Sequence, residues 1–272
     1  MGKGLSTFFK LATSAVSRQI VRNKSHCLHT RLPITVKKDK LSSIETWPSK
    51  NQYELMFATK SGLPIPHFPI THSAIALANS QNGTYAVYGR QSPLDFTMWL
   101  KKGILINTRK DNELPYLNDN YEFTLYPTGV SFRKSEIDYF LNAADKAINQ
   151  LQSCNMVKSN CYSYSVTAMT FALHCLIERP TFDYAKVRQI ISVMKEHPLN
   201  DHSSFGVFNN STVVDLLLSV LYSIKNKVNA LSDVSDDASE LLHETSKLIE
   251  TIEIETGKSR LETLLSNFIS PK

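Results

Sequence analysis

Cysteine 161 stands in the run Asn160-Cys161-Tyr162-Ser163-Tyr164-Ser165, where a polar stretch gives way to an apolar one. The spacing of Val166, Met169, Phe171, Ala172, Leu173, Leu176 and Ile177 predicts a helix that ends at Pro180 and is apolar nearly all round, and therefore buried. Ser159 or Asn160 suits its N-cap. A cysteine in that first turn meets unpaired N–H groups and the positive end of the helix dipole, which favour the thiolate, the reactive form of the side chain. A nucleophile also needs a base, and His72 opens the strand pattern Ser73-Ala74-Ile75-Ala76-Leu77-Ala78. Together they suit acyl transfer. His72 takes the thiol proton, the thiolate attacks a carbonyl carbon to form a thioester, and the Cys161 backbone N–H helps hold the oxyanion. The competing reading makes Cys161 a small core hydrophobe, as Cys175 is expected to be deeper in the same helix. His67, in a proline-rich loop, and His174, about 20 Å along the helix from Cys161, are weaker bases.

The strand pattern also points to a third group. Asn82-Gly83 is a hairpin signal between strands 72–79 and 84–91. A two-residue turn sets Ala74 opposite Gln91, whereas a four-residue loop sets His72 itself opposite Gln91. Either register puts Gln91 on the face of His72, where its amide oxygen could hold the imidazole in the tautomer that accepts the thiol proton, and Tyr88 on the other face. A solvated strand-end residue is the alternative for Gln91, with Asp95 as the fallback orienter.

These residues need elements to position them. Tyr53–Thr59 reads as a strand, the Pro64, Pro66, Pro69 run as an extended approach to His72, and Gly103–Thr108 and Tyr121–Phe132 as further strands, the last bent at Pro127 and Gly129. Ser135–Gln152 has the period of an amphipathic helix with Ile137, Phe140, Leu141, Ala144, Ala147, Ile148 and Leu151 inward. The fold class expected is α+β: a small antiparallel sheet packed on a central cysteine-bearing helix, with an all-helical C-terminal extension. The organisation expected is a basic amphipathic segment over 1–38, a catalytic domain over 39–180 and a helical region over 181–272. Within the last, Tyr184–Lys195, Thr212–Ala230 and Asp236–Thr256 read as helices, with Gly257 as the stop. Leu241, Leu242, Thr245, Leu248, Ile249 and Ile252 form a stripe able to pack on Val214, Leu217, Leu218, Leu221 and Ile224.

The run "NCYSYSV" resembles the Asn-Cys-x-(His/Ser)-(Phe/Tyr)-(Ser/Val) box of the circularly permuted NlpC/P60 (papain-like) cysteine enzymes, which include lecithin:retinol acyltransferase-like and PPPDE proteins. "THSAIAL" resembles their His-x-(Gly/Ala)-Ile strand, and in that group too the catalytic histidine precedes the cysteine. The resemblance spans roughly residues 50–178. It implies a hydrolase, such as a thiol protease, or an acyltransferase, acting through Cys161 and His72 on a peptide or isopeptide, another amide, a thioester or a lipid ester. Ser163 stands where many relatives carry histidine, and Ala74 replaces the usual glycine, which leaves the subfamily open. A catalytically inactive adaptor of the same fold is the alternative.

Charge divides the chain. Residues 1–38 hold eight of the thirty Lys and Arg and no acidic residue, leaving 22 basic and 25 acidic side chains in the remainder. That balance speaks against a general nucleic-acid-binding surface. Four cysteines without paired local spacing are not a disulfide framework and suit a reducing compartment. Cys154 and Cys161 are too far apart for a metal clip and the histidines do not cluster, so neither metal nor cofactor is expected. Nine acidic residues between Asp233 and Glu262 read as a solvated face, or as a surface for a protein partner. The Glu-rich end resembles the C-terminal translocation signals of effectors exported by intracellular bacteria, which would send the protein into a host cell.

Met1-Gly2-Lys3-Gly4-Leu5-Ser6 fits the N-myristoylation pattern, with Gly2 as the acylated residue. Behind it Leu5, Phe8, Phe9, Ala12, Val16 and Ile20 recur at helical spacing among Lys3, Lys10, Arg18, Arg22 and Lys24. Residues 1–24 are thus expected to bind an anionic membrane surface, holding the protein at its cytoplasmic face, because lipid plus basic charge is the pair of signals that anchors stably. A mitochondrial presequence is the alternative, and an inert tail the plainest one. Gly2→Ala made in eukaryotic cells is expected to move the protein from membranes to cytosol. Mass spectrometry finding an unmodified terminus with membrane binding unchanged would remove the lipid, and a mature chain beginning near residue 30 would favour the presequence.

Overall fold

A computed structural model describes residues 31–65, 68–90, 110–112, 122–149, 161–200, 205–231 and 235–269. Gly2, residues 1–24 and the strand expected at 103–108 lie outside the described residues. The architecture is α+β. Strands β1 (Ile34–Lys37), β2 (Gln52–Ile65), β3 (Phe68–Asn79), β4 (Thr84–Arg90), β5 (Lys110–Asn112) and β6 (Glu122–Arg133) form one sheet in the order β1-β6-β2-β3-β4-β5, every ladder antiparallel. The sheet thus begins inside the basic segment read as 1–38. Helices follow: α1 (Lys134–Asn149), α2 (Cys161–Glu178), α3 (Tyr184–Glu196), the short α4 (Phe205–Phe208), α5 (Ser211–Leu231) and α6 (Asp236–Ile269).

Period-2 alternation decides which face of each strand meets the helices. Leu55 and Phe57 of β2, Ile75 and Leu77 of β3, Ala86 and Tyr88 of β4 and Val130 and Phe132 of β6 join the buried residues of α1, α2, α3, α5 and α6 in one cluster. The helices after residue 180 therefore add to the same core as the sheet. The opposite face buries Met56, Ala58, Ala74, Ala76, Ala78, Val87, Phe123 and Leu125.

The β3–β4 loop contains four residues, since Asn79 pairs with Thr84. Gly83 takes φ +65°, a left-handed conformation open to glycine, and the Asn82 carboxamide oxygen accepts from the Thr84 N–H at 3.1 Å. The proline run is more than an approach to His72. β2 continues to Ile65, β3 starts at Phe68, and Pro64 pairs with Pro69 across a hairpin after a register shift beyond Ser61. Proline's extended φ fits a strand, and an irregularity in the ladder accommodates its missing N–H. In β6 the ladder jumps from Glu54–Ser131 to Met56–Pro127, bulging at the bend expected from Pro127 and Gly129. Gly129 has φ +74° and donates its N–H to Glu54 Oε1 at 2.8 Å, while the Thr128 hydroxyl donates to the Leu55 carbonyl at 2.6 Å.

α2 is buried over Tyr162–Thr170 and again at Ala172, Leu173 and Cys175–Ile177. Its hydroxyls are tolerated there because they bond back to carbonyls one turn earlier, Thr167 to Ser163 O and Thr170 to Val166 O, both at 2.7 Å. Its C-terminal end is tied on two sides. The Arg179 guanidinium forks onto Glu136 of α1 at 2.9 and 3.0 Å, and Lys227 of α5 donates to the Ile177 carbonyl, where a cation suits the negative end of the helix.

Gly257 does not stop α6, which runs on to Ile269. A helical glycine costs only about 1 kcal/mol relative to alanine, and Gly257 lies outside the left-handed region that a terminating cap uses. The stripe over Leu241–Ile252 is buried and α6 packs on α5 as the spacing implied, but it packs on α3 as well. There the acidic face is partly used: Arg188, buried on α3, meets Asp237 at 3.3 Å, Glu240 at 2.5 Å and Glu244 at 3.4 Å. Arg188→Ala is expected to destabilise the fold by about 1–3 kcal/mol in urea denaturation, since the loss combines charge-assisted bonds with packing of the buried stem. A loss below about 0.5 kcal/mol, the scale of an ordinary surface change, would mean that the apolar stripe alone holds α6.

Candidate active site

Among the described residues the β3–β4 ladder runs from Asn79–Thr84 to Ile75–Tyr88, while Tyr88, Gly89 and Arg90 pair with β5 on the other edge of β4. His72 and Ser73 lie on β3 beyond the last of these pairs, and pair with Lys60 and Thr59 of β2. Cys161, the first residue of α2, comes to this stretch of β3. The His72 imidazole and the backbone N–H and hydroxyl of Ser73 are the groups that act on its thiol. Consecutive strand residues point to opposite faces, so His72 and Ser73 can reach one atom only if it lies off the strand edge, near the plane of the sheet.

Burial is the largest influence on the thiol and pushes its pKa up. The positive charge of the neighbouring imidazole, its hydrogen bond, and the two Ser73 donors together outweigh that cost and hold the pKa below its ordinary 9.0. Cys161 as a residue is half-buried, whereas its thiol is enclosed. Cys175, a few turns along α2, has the opposite environment: burial, with the Glu136 charge adding to it and Arg179 opposing, pushes it up to about 12. The core role expected for Cys175 is therefore the observed one.

A polar bridge ties the strand to the helix at this point. The Ser73 and Ser165 hydroxyls lie 3.2 Å apart, both fully buried, and Ser165 Oγ donates to the Cys161 carbonyl at 3.1 Å. The sequence reading had no place for either serine, yet a signal existed. Alternation puts Ser73 on the inward face with Ile75 and Leu77, and a hydroxyl buried there needs a partner. Ser165 lies one helical turn after Cys161, on the same side of α2.

The remaining candidates divide. The hairpin has the four-residue loop and Tyr88 faces the helices as expected; Gln91, with Asp95 and His67, lies outside the described residues. The residue opposite His72 on β2 is Lys60, whose ammonium lies over the Phe123 ring at 5.8 Å. An ammonium accepts no hydrogen bond, so β2 does not supply an acceptor for the imidazole from that position. His174 stacks near Tyr139, an exposed side chain on α1, far from Cys161. No group of residues able to hold a metal occurs among the described residues. No helix there is long and apolar enough to cross a membrane. No family model, curated protein or solved structure matches this chain.

Because the Cys161 pKa is lowered, its thiolate fraction rises with pH through a midpoint below 9.0 and falls only when the pH drops beneath that lowered value. Iodoacetamide is thus expected to alkylate Cys161 at near-neutral pH while leaving Cys175 protonated and intact until the chain unfolds. Peptide mass spectrometry across pH 5–9 would read this, and equal rates at the two cysteines would contradict the environment described.

Proposed function

We propose that this protein is a cysteine-dependent hydrolase or acyltransferase of the permuted NlpC/P60 type. The observation that carries the reading is the action of the His72 imidazole on the Cys161 thiol at the start of a buried helix. A core cysteine has no need of a basic partner, and a thiol held below its ordinary pKa is the form that attacks carbonyls.

In the reaction proposed, His72 takes the thiol proton and the Cys161 sulfur adds to a carbonyl carbon. The developing oxyanion lies near the first turn of α2, whose leading N–H groups lack intrahelical partners, the Cys161 N–H among them. Collapse expels the amine, alcohol or thiol, protonated by the His72 imidazolium, and leaves a thioester. Water or a second acceptor, deprotonated by the same imidazole, then releases the acyl group. Gln91 is the proposed orienter of His72, on the register argument above. The substrates that suit the chemistry are peptide or isopeptide bonds, other amides, thioesters and lipid esters. Attachment through Gly2 and residues 1–24 would favour a lipid or lipidated one.

A thiol-directed acyl electrophile, such as an acyloxymethyl ketone probe, is expected to label the full chain and to spare Cys161→Ser. His72→Ala should slow the labelling by about 10²-fold or more, the lower end of what a positioned general base supplies. Labelling that survives Cys161→Ser, or is indifferent to His72→Ala, would overturn the proposal.

A further inference from the structure

Cross-strand register sets four hydroxyl side chains in one line. Thr35 of β1 lies opposite Thr124 of β6, Thr124 opposite Thr59 of β2, and Thr59 opposite Ser73 of β3. Directly opposed residues share a face. That face is the one turned to the helices, since Thr59 stands two residues from Phe57 and Ser73 two from Ile75, both in the main core. Exposure falls along the line: Thr35 is exposed, Thr124 and Thr59 are half-buried and Ser73 is fully buried. The buried end leads to the candidate nucleophile, because the Ser73 and Ser165 hydroxyls lie 3.2 Å apart and Ser165 Oγ donates to the Cys161 carbonyl at 3.1 Å. Four strands at a spacing of about 4.8 Å make a row about 14 Å long. Extended chain at about 3.4 Å per residue covers that distance in about four residues.

Both flanks of the row are defined. The next row toward the core holds Phe57 and Tyr126, and His197, at the end of α3, lies with its ring 3.7 Å from that of Tyr126 between centroids. Tyr126 and His197 are both half-buried. On the other flank Lys37 and Glu122, opposed on β1 and β6, form an ion pair at 3.6 Å and so offset each other's charge.

We infer that Thr124 and Thr59 form the floor of a substrate groove that runs from the β1 edge to Cys161 and binds the main chain of an extended, peptide-like substrate. The inference rests on the reading of Cys161 as nucleophile given above, and narrows the substrates left open there. A hydroxyl both donates and accepts, which suits the alternating N–H and C=O groups of a peptide. An aliphatic acyl chain laid on the same row would strip water from each hydroxyl and return no hydrogen bond, a net loss. No charged side chain stands in the row, so it selects for hydrogen-bonding groups and not for an ion. Tyr126 and His197 present ring faces to a side chain carried on that main chain.

Threonine pairs also stabilise an antiparallel sheet by packing across strands, so the test removes the hydroxyls and keeps the shape. It compares three thiol reagents on the full chain: iodoacetamide, iodoacetyl-tetraalanine amide and N-dodecyl iodoacetamide. All three lose iodide from the same carbon as sulfur attacks, and none needs acyl transfer. Peptide mass spectrometry reads the rate at Cys161 for each tailed reagent relative to iodoacetamide. The peptidyl tail is expected to outpace the dodecyl tail by about tenfold, the scale of one or two net hydrogen bonds. Thr59→Val combined with Thr124→Val should abolish that advantage, and Thr59→Ser combined with Thr124→Ser should keep it.

A folded valine pair that retains the peptidyl advantage would overturn the inference, and so would an unmodified chain that reacts faster with the dodecyl tail. Thermal melts establish folding, and Thr59→Val alone decides by the same comparison if the valine pair does not melt as a folded protein. His72→Ala separates this claim from the one beneath it. Loss of the imidazole should slow all three reagents by one factor and leave their ratio intact. A His72→Ala chain alkylated as fast as the original overturns the dyad, while the ratio between tails still decides the groove.

Discussion

The meeting of Cys161 with the His72–Ser73 stretch of β3 is the constraint on which the site depends. While two strands are paired, the hydrogen-bonding groups along their shared edge are consumed by the ladder. Among the described residues the β3–β4 ladder ends at Ile75, and beyond it the His72 ring and the Ser73 N–H and hydroxyl act on an atom that arrives from α2. The strand brings His72 from one face and Ser73 from the other, and both meet at the sulfur of Cys161. A residue farther along β3 would have met β4 there instead.

The helix must then deliver its first residue to that edge with little freedom. α2 does so by being held along its whole length. Its flanks are buried among α1, α3 and α5, Arg179 and Lys227 fix its far end, and Ser165 ties its first turn to Ser73. Burial alone would work against the chemistry, since a desolvated thiol holds its proton, as Cys175 does. At Cys161 the balance reverses because three donors and the imidazole charge act on one atom at short range. Two cysteines in one helix thus differ in acidity through their neighbours, since burial raises both.

The helices after residue 180 serve the same end at a distance. α5 caps the C-terminal turn of α2 through Lys227, and α3 is bound to α6 by a buried guanidinium with three carboxylates around it. Such a cluster supports a particular pairing of helices more than it adds net stability, because taking the arginine out of water offsets much of the attraction. It also accounts for part of the acidic surface that composition alone would leave to solvent or to a partner.

Much of this was legible without coordinates, wherever a local period or a local turn decides the outcome. The amphipathic face of α1, the all-apolar α2, the hairpin at Asn82-Gly83 and the stripe of α6 follow from side-chain spacing, because 3.6- and 2-residue periods decide which residues share a face. So did the choice of Cys161 and His72 as a pair, which rested on residue type and order. Local rules failed where a longer-range partner overruled them. The prolines of the β2–β3 hairpin sit in strands because each strand supplies the other's register, and Gly257 stays helical with no cap geometry to end α6 there. The sequence by itself determined the α+β class, the core faces and the presence of a cysteine and a histidine of types that suit acyl transfer. Only the tertiary structure decided that the first residue of α2 meets β3 at His72, that Ser165 ties the two elements through Ser73, and that the balance of burial against donors lowers the thiol's pKa. These depend on which atoms from segments some ninety residues apart meet at one point, and no local period encodes that.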